Sequence, residues 1–313
     1  MERIFMQLSP LIARRMKVIS WSAPYSKFAP AELFRNIRAA GKNRADIYHV
    51  TGDIHYVVMG LPRRRTVLTI HDCVFLYQAS GLKRKLLKWI LLDMPVRRSS
   101  LVTTISEATK KDILNFSDCP PEKVVVIPDP VSDSIYYRPA EFGQNKPVLL
   151  FVGTTENKNL LRVAAALEGL SCRLDIVGRL SAEQEQALST HRIEYTAKAG
   201  LSDEEIADKY AQSDIVLFPS TFEGFGLPIV EGQKAGRPVI TSDLDPMRET
   251  AGKGACLVDP YDTASIRQGV IRVIEDKAYR EMLVQDGLAN VQRFSAERVA
   301  SQYLACYEQL LNS

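Results

Sequence analysis

From Phe218 to Val239 the chain reads Phe-Pro-Ser-Thr-Phe-Glu-Gly-Phe-Gly-Leu-Pro-Ile-Val-Glu-Gly-Gln-Lys-Ala-Gly-Arg-Pro-Val, and two carboxylates, Glu223 and Glu231, bracket a glycine turn within it. Pro228 suits a first helical position, Gly236 can close that helix, and Pro238 prevents its continuation. The stretch therefore reads strand, loop, helix, strand. Gly224, Phe225, Gly226 and Leu227 would present backbone N–H groups at the helix N-terminus, where the dipole favours an anion. Glycine lets that backbone approach a ligand closely. Glu223 precedes the turn and Glu231 falls in the first turn of the helix, so both can look into one crevice. A carboxylate is repelled by phosphate, so the partners that fit it are hydroxyl donors such as a ribose diol or a hexose. Each acid also fits a plainer reading, Glu231 complementing the helix dipole and Glu223 capping the turn.

Other chemistries lack their signatures. No GxGxxG follows a strand and no GxxxxGK[ST] occurs, which argues against a dinucleotide oxidoreductase and a P-loop NTPase. No GxSxG elbow supports a serine hydrolase. The four histidines (His49, His55, His71, His191) have no metal-ligand spacing, so no metal and no cofactor are expected. His49 and His55 flank Val-Thr-Gly-Asp-Ile in a loop that either contacts an acceptor or packs. Five scattered cysteines without a CxxC pair suit reduced thiols in a cytosolic protein. Met1–Pro10 does not read as a signal peptide, and the apolar run Leu86–Met94 is too short to cross a bilayer. A cytoplasmic protein is expected, at most lying against a membrane.

These side chains need a scaffold, and 313 residues suggest two domains. Strands are expected at Lys17–Trp21, Ile47–Val50, Thr66–Ile70, Leu101–Ile105 and Val124–Ile127. Further strands are expected at Val148–Val152, Leu174–Val177, Ile193–Thr196, Ile215–Phe218, Pro238–Thr241 and Ala255–Val258. Many are continuous apolar runs, as buried parallel strands should be. Helical patterns at Lys83–Arg98, Asn159–Leu167, Asp203–Gln212 and Asp262–Asp276 separate them. The class is α/β, two Rossmann-like doubly wound parallel-sheet domains facing a central cleft. Arg138–Pro147, polar and bearing Pro and Gly, reads as the linker. The expected domains are 1–142, joined by a C-terminal helix over 296–313, and 146–295.

The Glu223–Glu231 stretch resembles the E-x7-E signature of glycosyltransferase family 4, the group 1 transferases of GT-B fold. Other segments resemble family landmarks in the same order: Thr69-Ile-His-Asp72, Thr104-Ile-Ser-Glu107, Val125-Val-Ile-Pro-Asp-Pro-Val131, Phe151–Leu160 and Tyr210–Ser220. The resemblance spans nearly the whole chain. It implies that Glu231 binds the donor ribose, that Glu223 lies by the transferred sugar, and that residues 224–227 touch the sugar and diphosphate through amides. Lys158 matches the lysine that grips the diphosphate, and His71 the histidine near the sugar. Physical chemistry supports Lys158 independently, because breaking a sugar–phosphate bond builds negative charge that a cation must answer when no metal does. A solvated loop lysine and a strand-end histidine bonded to backbone are the plainer readings of those two residues. Two departures stand out. The usual arginine before the lysine is missing, the loop Gly153–Asn159 offering Thr154 and Asn157 instead, with Arg179 or a plain surface role for that arginine both open. Relatives usually begin with a further strand and a glycine-rich loop, and Met1–Arg15 matches the helix after it, so the first domain is expected to be short at its start.

The implied activity is retaining transfer of a hexose from a nucleoside diphosphate sugar, a substrate rather than a cofactor, to a hydroxyl on a glycan or lipid-linked acceptor. The family's habits point to bacterial cell-surface polysaccharide assembly, with GDP-mannose one candidate donor. A non-catalytic nucleotide-sugar-binding partner, or a GT-B epimerase or phosphorylase, are the other classes; release of nucleoside diphosphate separates them. Charge adds one more expectation. Through Ile105 there are 18 Lys/Arg against 6 Asp/Glu, although the whole chain carries only +3. Residues 81–98 place Leu86, Leu87, Ile90, Leu91 and Met94 on one helical face, behind Lys83, Arg84, Lys85 and Lys88, with Trp89 nearby and Arg63-Arg-Arg65 adding a patch. Such a helix either lies in an anionic membrane surface or packs on its own sheet. Nucleic acid is not an expected partner, since no recognised module accompanies the patch.

Overall fold

The computed structural model describes residues 2–312, with side chains from residue 4 onward. It divides into two compact units, Met1–Pro130 with Ala296–Ser313, and Val131–Ser295.

The first unit is built on a four-stranded parallel sheet in the order β1 (Tyr48–Val50), β2 (Thr66–Ile70), β3 (Leu101–Thr104), β4 (Val124–Val126). Every residue of β2 and β3 is buried. Successive side chains of a strand leave on opposite faces, and here both faces are covered. Leu68, Ile70 and Val102 join Val57, Val58, Leu76, Leu92 and Ile113 in one core. Val67 and Leu101 join Leu8, Ile12, Val299, Tyr303 and Leu304 in the other, so the helices Glu2–Ile12 and Ala296–Leu311 pack together on that side.

The second unit carries six parallel strands, β5 (Val148–Val152), β6 (Arg173–Val177), β7 (Tyr195–Lys198), β8 (Ile215–Phe218), β9 (Val239–Ser242) and β10 (Ala255–Val258), in the order β10-β9-β8-β5-β6-β7. Leu149, Phe151, Leu174, Ile176, Leu217 and Ile240 face one core, and Leu150, Val216, Phe218 and Val239 the other. The chain starts at β5 in mid-sheet, winds outward through β6 and β7, then returns to β8 on the opposite side of β5. That reversal opens a crevice beyond the carboxyl ends of β5 and β8, the place where doubly wound sheets hold ligands.

Three expectations change. Lys17–Trp21 forms no strand; Val18 and Ile19 are exposed, because β propensity is realised only where a neighbouring strand accepts the backbone bonds. Arg138–Pro147 is not a free linker. Ile135 is buried in a core of the second unit, the Arg138 amide donates to the Ala235 carbonyl, and Asp214 accepts from the amides of Gly143 and Val148 at 2.7 Å each. Lys83–Arg98 is helical but not uniform: Gly81–Lys88 and Met94–Arg98 are α-helical, and Trp89–Asp93 is a wider π-turn in which the Met94 amide donates to the Trp89 carbonyl. Pro95 is the cause. It has no N–H for the Leu91 carbonyl and its ring crowds that oxygen. His55 takes the vacancy, with Nδ1 2.8 Å from Leu91 O.

Candidate functional site in the second unit

The loop after β5 and the loop after β8 are stitched together because parallel pairing sets β5 beside β8, Leu149 opposite Ile215. The Thr221 amide donates to Asn157 O at 2.8 Å, and Asn157 Nδ2 donates to Phe222 O at 2.8 Å. Asn159 stands in the left-handed region at φ 72°, which asparagine tolerates better than most residues. Its buried Nδ2 donates to Pro219 O and Pro260 O at 3.1 and 2.7 Å, pinning the turn Glu156–Lys158.

On this frame Lys158 Nζ donates to Glu223 Oε1 at 2.6 Å, and Asn157 Nδ2 reaches the same oxygen at 3.2 Å. The Lys158 and Glu223 side chains are only 17% and 14% exposed, so the pair is largely desolvated. Lys158 Nζ also lies 4.6 Å from the centroid of the Phe218 ring, an aromatic face that favours a cation. Poor solvation strengthens the charge of both groups toward any ligand that enters.

Gly226 starts the helix Leu227–Lys234 at φ 100°, a conformation that needs glycine here, since a Cβ would also stand 2.9 Å from Ile229 Cδ1. Phe225 turns inward: it is buried, packs edge-on against Phe294 at 5.4 Å, and its carbonyl accepts from Thr250 Oγ1 at 2.8 Å. Its side chain anchors the turn, so only its backbone is available to a ligand. Glu231 is half-buried, and Tyr210 Oη donates to its Oε2 at 2.6 Å. Burial pushes the Glu231 carboxyl above its ordinary range, against the Tyr210 bond, which pulls it down.

Arg179, the alternative cation, is exposed; its carbonyl accepts from Thr154 Oγ1 at 2.7 Å. Thus Glu223, Lys158, Gly224–Leu227 and Glu231 all belong to the second unit, with Asn157 and Tyr210 as the partners sequence reading underweighted. A hollow of about 790 Å³ in the first unit, among Arg63, Arg64, Arg97 and Lys123, lies at the amino ends of β2–β4. Ligands of such sheets gather at the carboxyl ends, so that hollow is not taken as the site.

His71 belongs to the first unit, just past β2. Among the described residues neither of its ring nitrogens has a hydrogen-bond partner, although both are buried. Nε2 stands 3.8 Å from Asp129 Oδ1, too far for a hydrogen bond. Burial lowers the His71 pKa to about 4 and raises that of Asp129 to about 7, so the imidazole is neutral at pH 7. Asp129, beyond β4, was not singled out by sequence. Asp72 Oδ1 accepts from the Val74 amide at 2.9 Å, at the start of the short helix Val74–Gln78. His49 and His55 resolve toward packing. His49 is held by Tyr307 Oη at 2.6 Å and Thr69 Oγ1 at 2.7 Å, and His55 by the Leu91 carbonyl.

A desolvated Lys–Glu pair beside a glycine turn at a helix start, with a second carboxylate in that helix, suits an anion flanked by hydroxyls. A family model described as "Glycosyl transferases group 1" matches residues 146–276, and one described as "Glycosyltransferase Family 4" matches residues 6–134, so that together they cover most of the chain. This chain belongs to the group 1, family 4 glycosyltransferases.

The glycosyltransferase is 26% identical to the O-antigen chain mannosyltransferase B of Escherichia coli over 279 residues, covering 80% of this chain and 72% of that one. It is 30% identical to the MMP alpha-(1->4)-mannosyltransferase of Mycolicibacterium hassiacum over 234 residues, 66% of this chain and 54% of that one. Three further relatives, the O-antigen chain mannosyltransferase RfbU of Salmonella typhimurium among them, are likewise matched over only 54 to 61% of their own length. Among solved structures, the sucrose-phosphate synthase of Thermosynechococcus elongatus superposes with a TM-score of 0.77 at 20% identity, covering 100% of this chain and 94% of that one. The Anabaena protein HepE, solved with UDP and glucose, gives 0.74 at 18% identity over 96% and 88%. At such identities the likeness is one of fold, and the fold is GT-B.

Proposed function

We propose that this glycosyltransferase moves a hexose, with retention at the anomeric carbon, from a nucleoside diphosphate sugar to a hydroxyl of a glycan or lipid-linked acceptor in bacterial surface-polysaccharide assembly. The observation that carries the reading is the Lys158–Glu223 pair set beside the Gly224–Leu227 turn, with Glu231 in the helix that follows. Lys158 and the amides of the turn receive the charge that develops on the departing diphosphate, which makes the transfer metal-independent in this reading. Glu223 faces the transferred sugar, where positive charge develops, and Glu231 accepts from the ribose hydroxyls. His71, neutral at pH 7, serves the sugar or acceptor side. Support for the sugar class comes from relatives named as O-antigen mannosyltransferases, and for the donor class from HepE solved with UDP-glucose. GDP-mannose, for the sugar of those relatives, and UDP-glucose are the first donors to try.

A thermal-shift screen with UDP, GDP and ADP sugars tests this, because a ligand that binds only the folded state raises Tm. One donor class should raise Tm by several degrees, a stabilisation of about 2.7 kcal/mol at a hundredfold excess over Kd. Glu231→Ala should lose most of that shift. No shift with any donor, or an equal shift in the variant, would count against the donor site.

The acceptor side adds a surface. Among the described residues no helix is long and apolar enough to cross a membrane. In Gly81–Lys88 and the turn beyond it, however, Leu82, Leu86 and Trp89 are 84%, 57% and 51% exposed and share one helical face, with Lys83, Arg84 and Lys85 exposed beside them. Of the apolar face expected over 81–98, Leu86 is exposed, whereas Ile90 and Leu91 pack partly buried against the core beside Leu92 and Val96. This arrangement suits an anionic lipid surface, at about 1 kcal/mol per basic residue. Reversing Lys83, Arg84 and Lys85 to Glu should weaken flotation with phosphatidylglycerol vesicles by about a hundredfold or more. Equal flotation of both proteins, or none of either, would remove the membrane from the account.

A further inference from the structure

We propose that Tyr210 is a positioning residue for the donor, its hydroxyl fixing which oxygen of Glu231 faces the ligand. The proposal rests on the reading above that Glu231 accepts hydrogen bonds from the donor ribose. Tyr210 lies in the helix Asp203–Gln212 and is fully buried, yet its ring ends on a half-buried carboxylate 21 residues away, Oη to Oε2 at 2.6 Å. A phenol in a core needs a partner for its hydroxyl, and many acceptors would serve. Here the partner is the acid of the signature stretch.

Both ends of this bond are rigidly mounted. The Tyr210 carbonyl accepts from Arg237 Nε and from Ser213 Oγ, each at 3.0 Å, and Arg237 Nη2 donates to Ala211 O at 2.7 Å. Arg237 is itself only 4% exposed, so a buried cation locks the end of the Tyr210 helix. At the other end Gly232, next to Glu231, sits so close to the sheet that a Cβ would stand 2.8 Å from Val216 Cγ2 and 3.0 Å from Val239 Cγ2. The helix carrying Glu231 thus lies hard against β8 and β9 and has little freedom to rotate. Oε2 already accepts from Tyr210, so Oε1 is the less committed oxygen and the one assigned to the ligand.

The hydroxyl has a second effect. Desolvation pushes Glu231 toward its neutral form, which would turn an acceptor for sugar hydroxyls into a competing donor. Three charged or titratable groups bear on it besides the ligand. Asp203, on the Tyr210 helix, opposes ionisation; Lys234, on Glu231's own helix, favours it; Tyr210 favours it through the direct bond. Lys234 is partly committed elsewhere, donating to Ser132 O at 2.8 Å and standing 3.7 Å from Asp133 Oδ1. Tyr210 is therefore the larger of the two contributions that draw Glu231 back toward its anion.

The test is Tyr210→Phe, which keeps the ring and removes only the hydroxyl. Donor KM should rise about tenfold at neutral pH, the scale of a lost hydrogen bond to a charged group, while kcat stays within about twofold. The signature is pH dependence. Without its donor Glu231 holds a proton to higher pH, so the KM defect should be largest near pH 6 and shrink toward pH 9, with wild type flatter over that range. Wild-type KM at every pH, or a pH-independent fall in kcat and rise in KM together, would overturn the proposal. Glu231→Ala measured alongside separates the two levels. If it leaves donor KM unchanged, the ribose reading itself fails; if it raises KM while Tyr210→Phe does not, Tyr210 alone is misassigned.

Discussion

Glu223→Ala should cut turnover by about a hundredfold or more at saturating donor, the scale on which enzymes lose rate when a group facing transition-state charge is removed. Glu223 is almost wholly surrounded by protein and gives one oxygen to two donors, Lys158 and Asn157. In the proposed reaction its negative charge faces a sugar turning cationic, so the contact strengthens as the bond breaks and the loss falls on kcat. Glu223→Gln keeps the shape and an acceptor but not the charge, and should remain far below wild type. Release of nucleoside diphosphate under single-turnover conditions measures both. Turnover close to wild type in Glu223→Ala would remove it from the reacting centre.

Lys158→Ala should be of similar size, about a hundredfold or more, through the opposite charge. Its ammonium answers the charge that builds on the diphosphate as the glycosidic bond to phosphate breaks. The lysine arrives at this role already paired at 2.6 Å, so the donor must share it with Glu223. Each single variant also strands a poorly solvated partner, which costs more than the missing contact alone. The double variant Glu223→Ala/Lys158→Ala should therefore lose less than the product of the two single losses, as neighbours in one ion pair do. Fully multiplicative losses would mean that the two groups act independently, contrary to the geometry.

Most of the scaffold could be read from continuous apolar runs, because a parallel strand covered on both faces has no polar side to show. Thr66–Ile70 and Ile215–Phe218 are buried throughout and were legible for that reason. Lys17–Trp21 has the same local character but no strand to pair with among the described residues, and pairing is a long-range property. Arg138–Pro147 misled for the converse reason. Its composition is that of a linker, but Asp214, some seventy positions on, accepts the Gly143 amide within it and the Val148 amide just past it, at 2.7 Å each.

In the candidate site, residue types were readable and partnerships were not. Glu223, Glu231 and the glycine turn lie within one short stretch, so their chemistry could be argued from spacing. The Lys158–Glu223 bond spans 65 residues and exists because β8 returns beside β5. Tyr210 lies where an expected helix leads into β8, and nothing local shows that its hydroxyl ends on Glu231. His55 is similar. Its partner is the carbonyl that Pro95 leaves without an N–H, a relation visible only once the helix is folded.

The central claim, that Lys158, Glu223, the Gly224–Leu227 turn and Glu231 hold one nucleoside diphosphate sugar, is tested most directly by a crystal structure with an intact donor. The account predicts the diphosphate within hydrogen-bond distance of Lys158 Nζ and the turn amides, with the sugar against Glu223 and the ribose hydroxyls on Glu231. A donor bound elsewhere in the second unit, or either carboxylate turned away from it, would contradict the account.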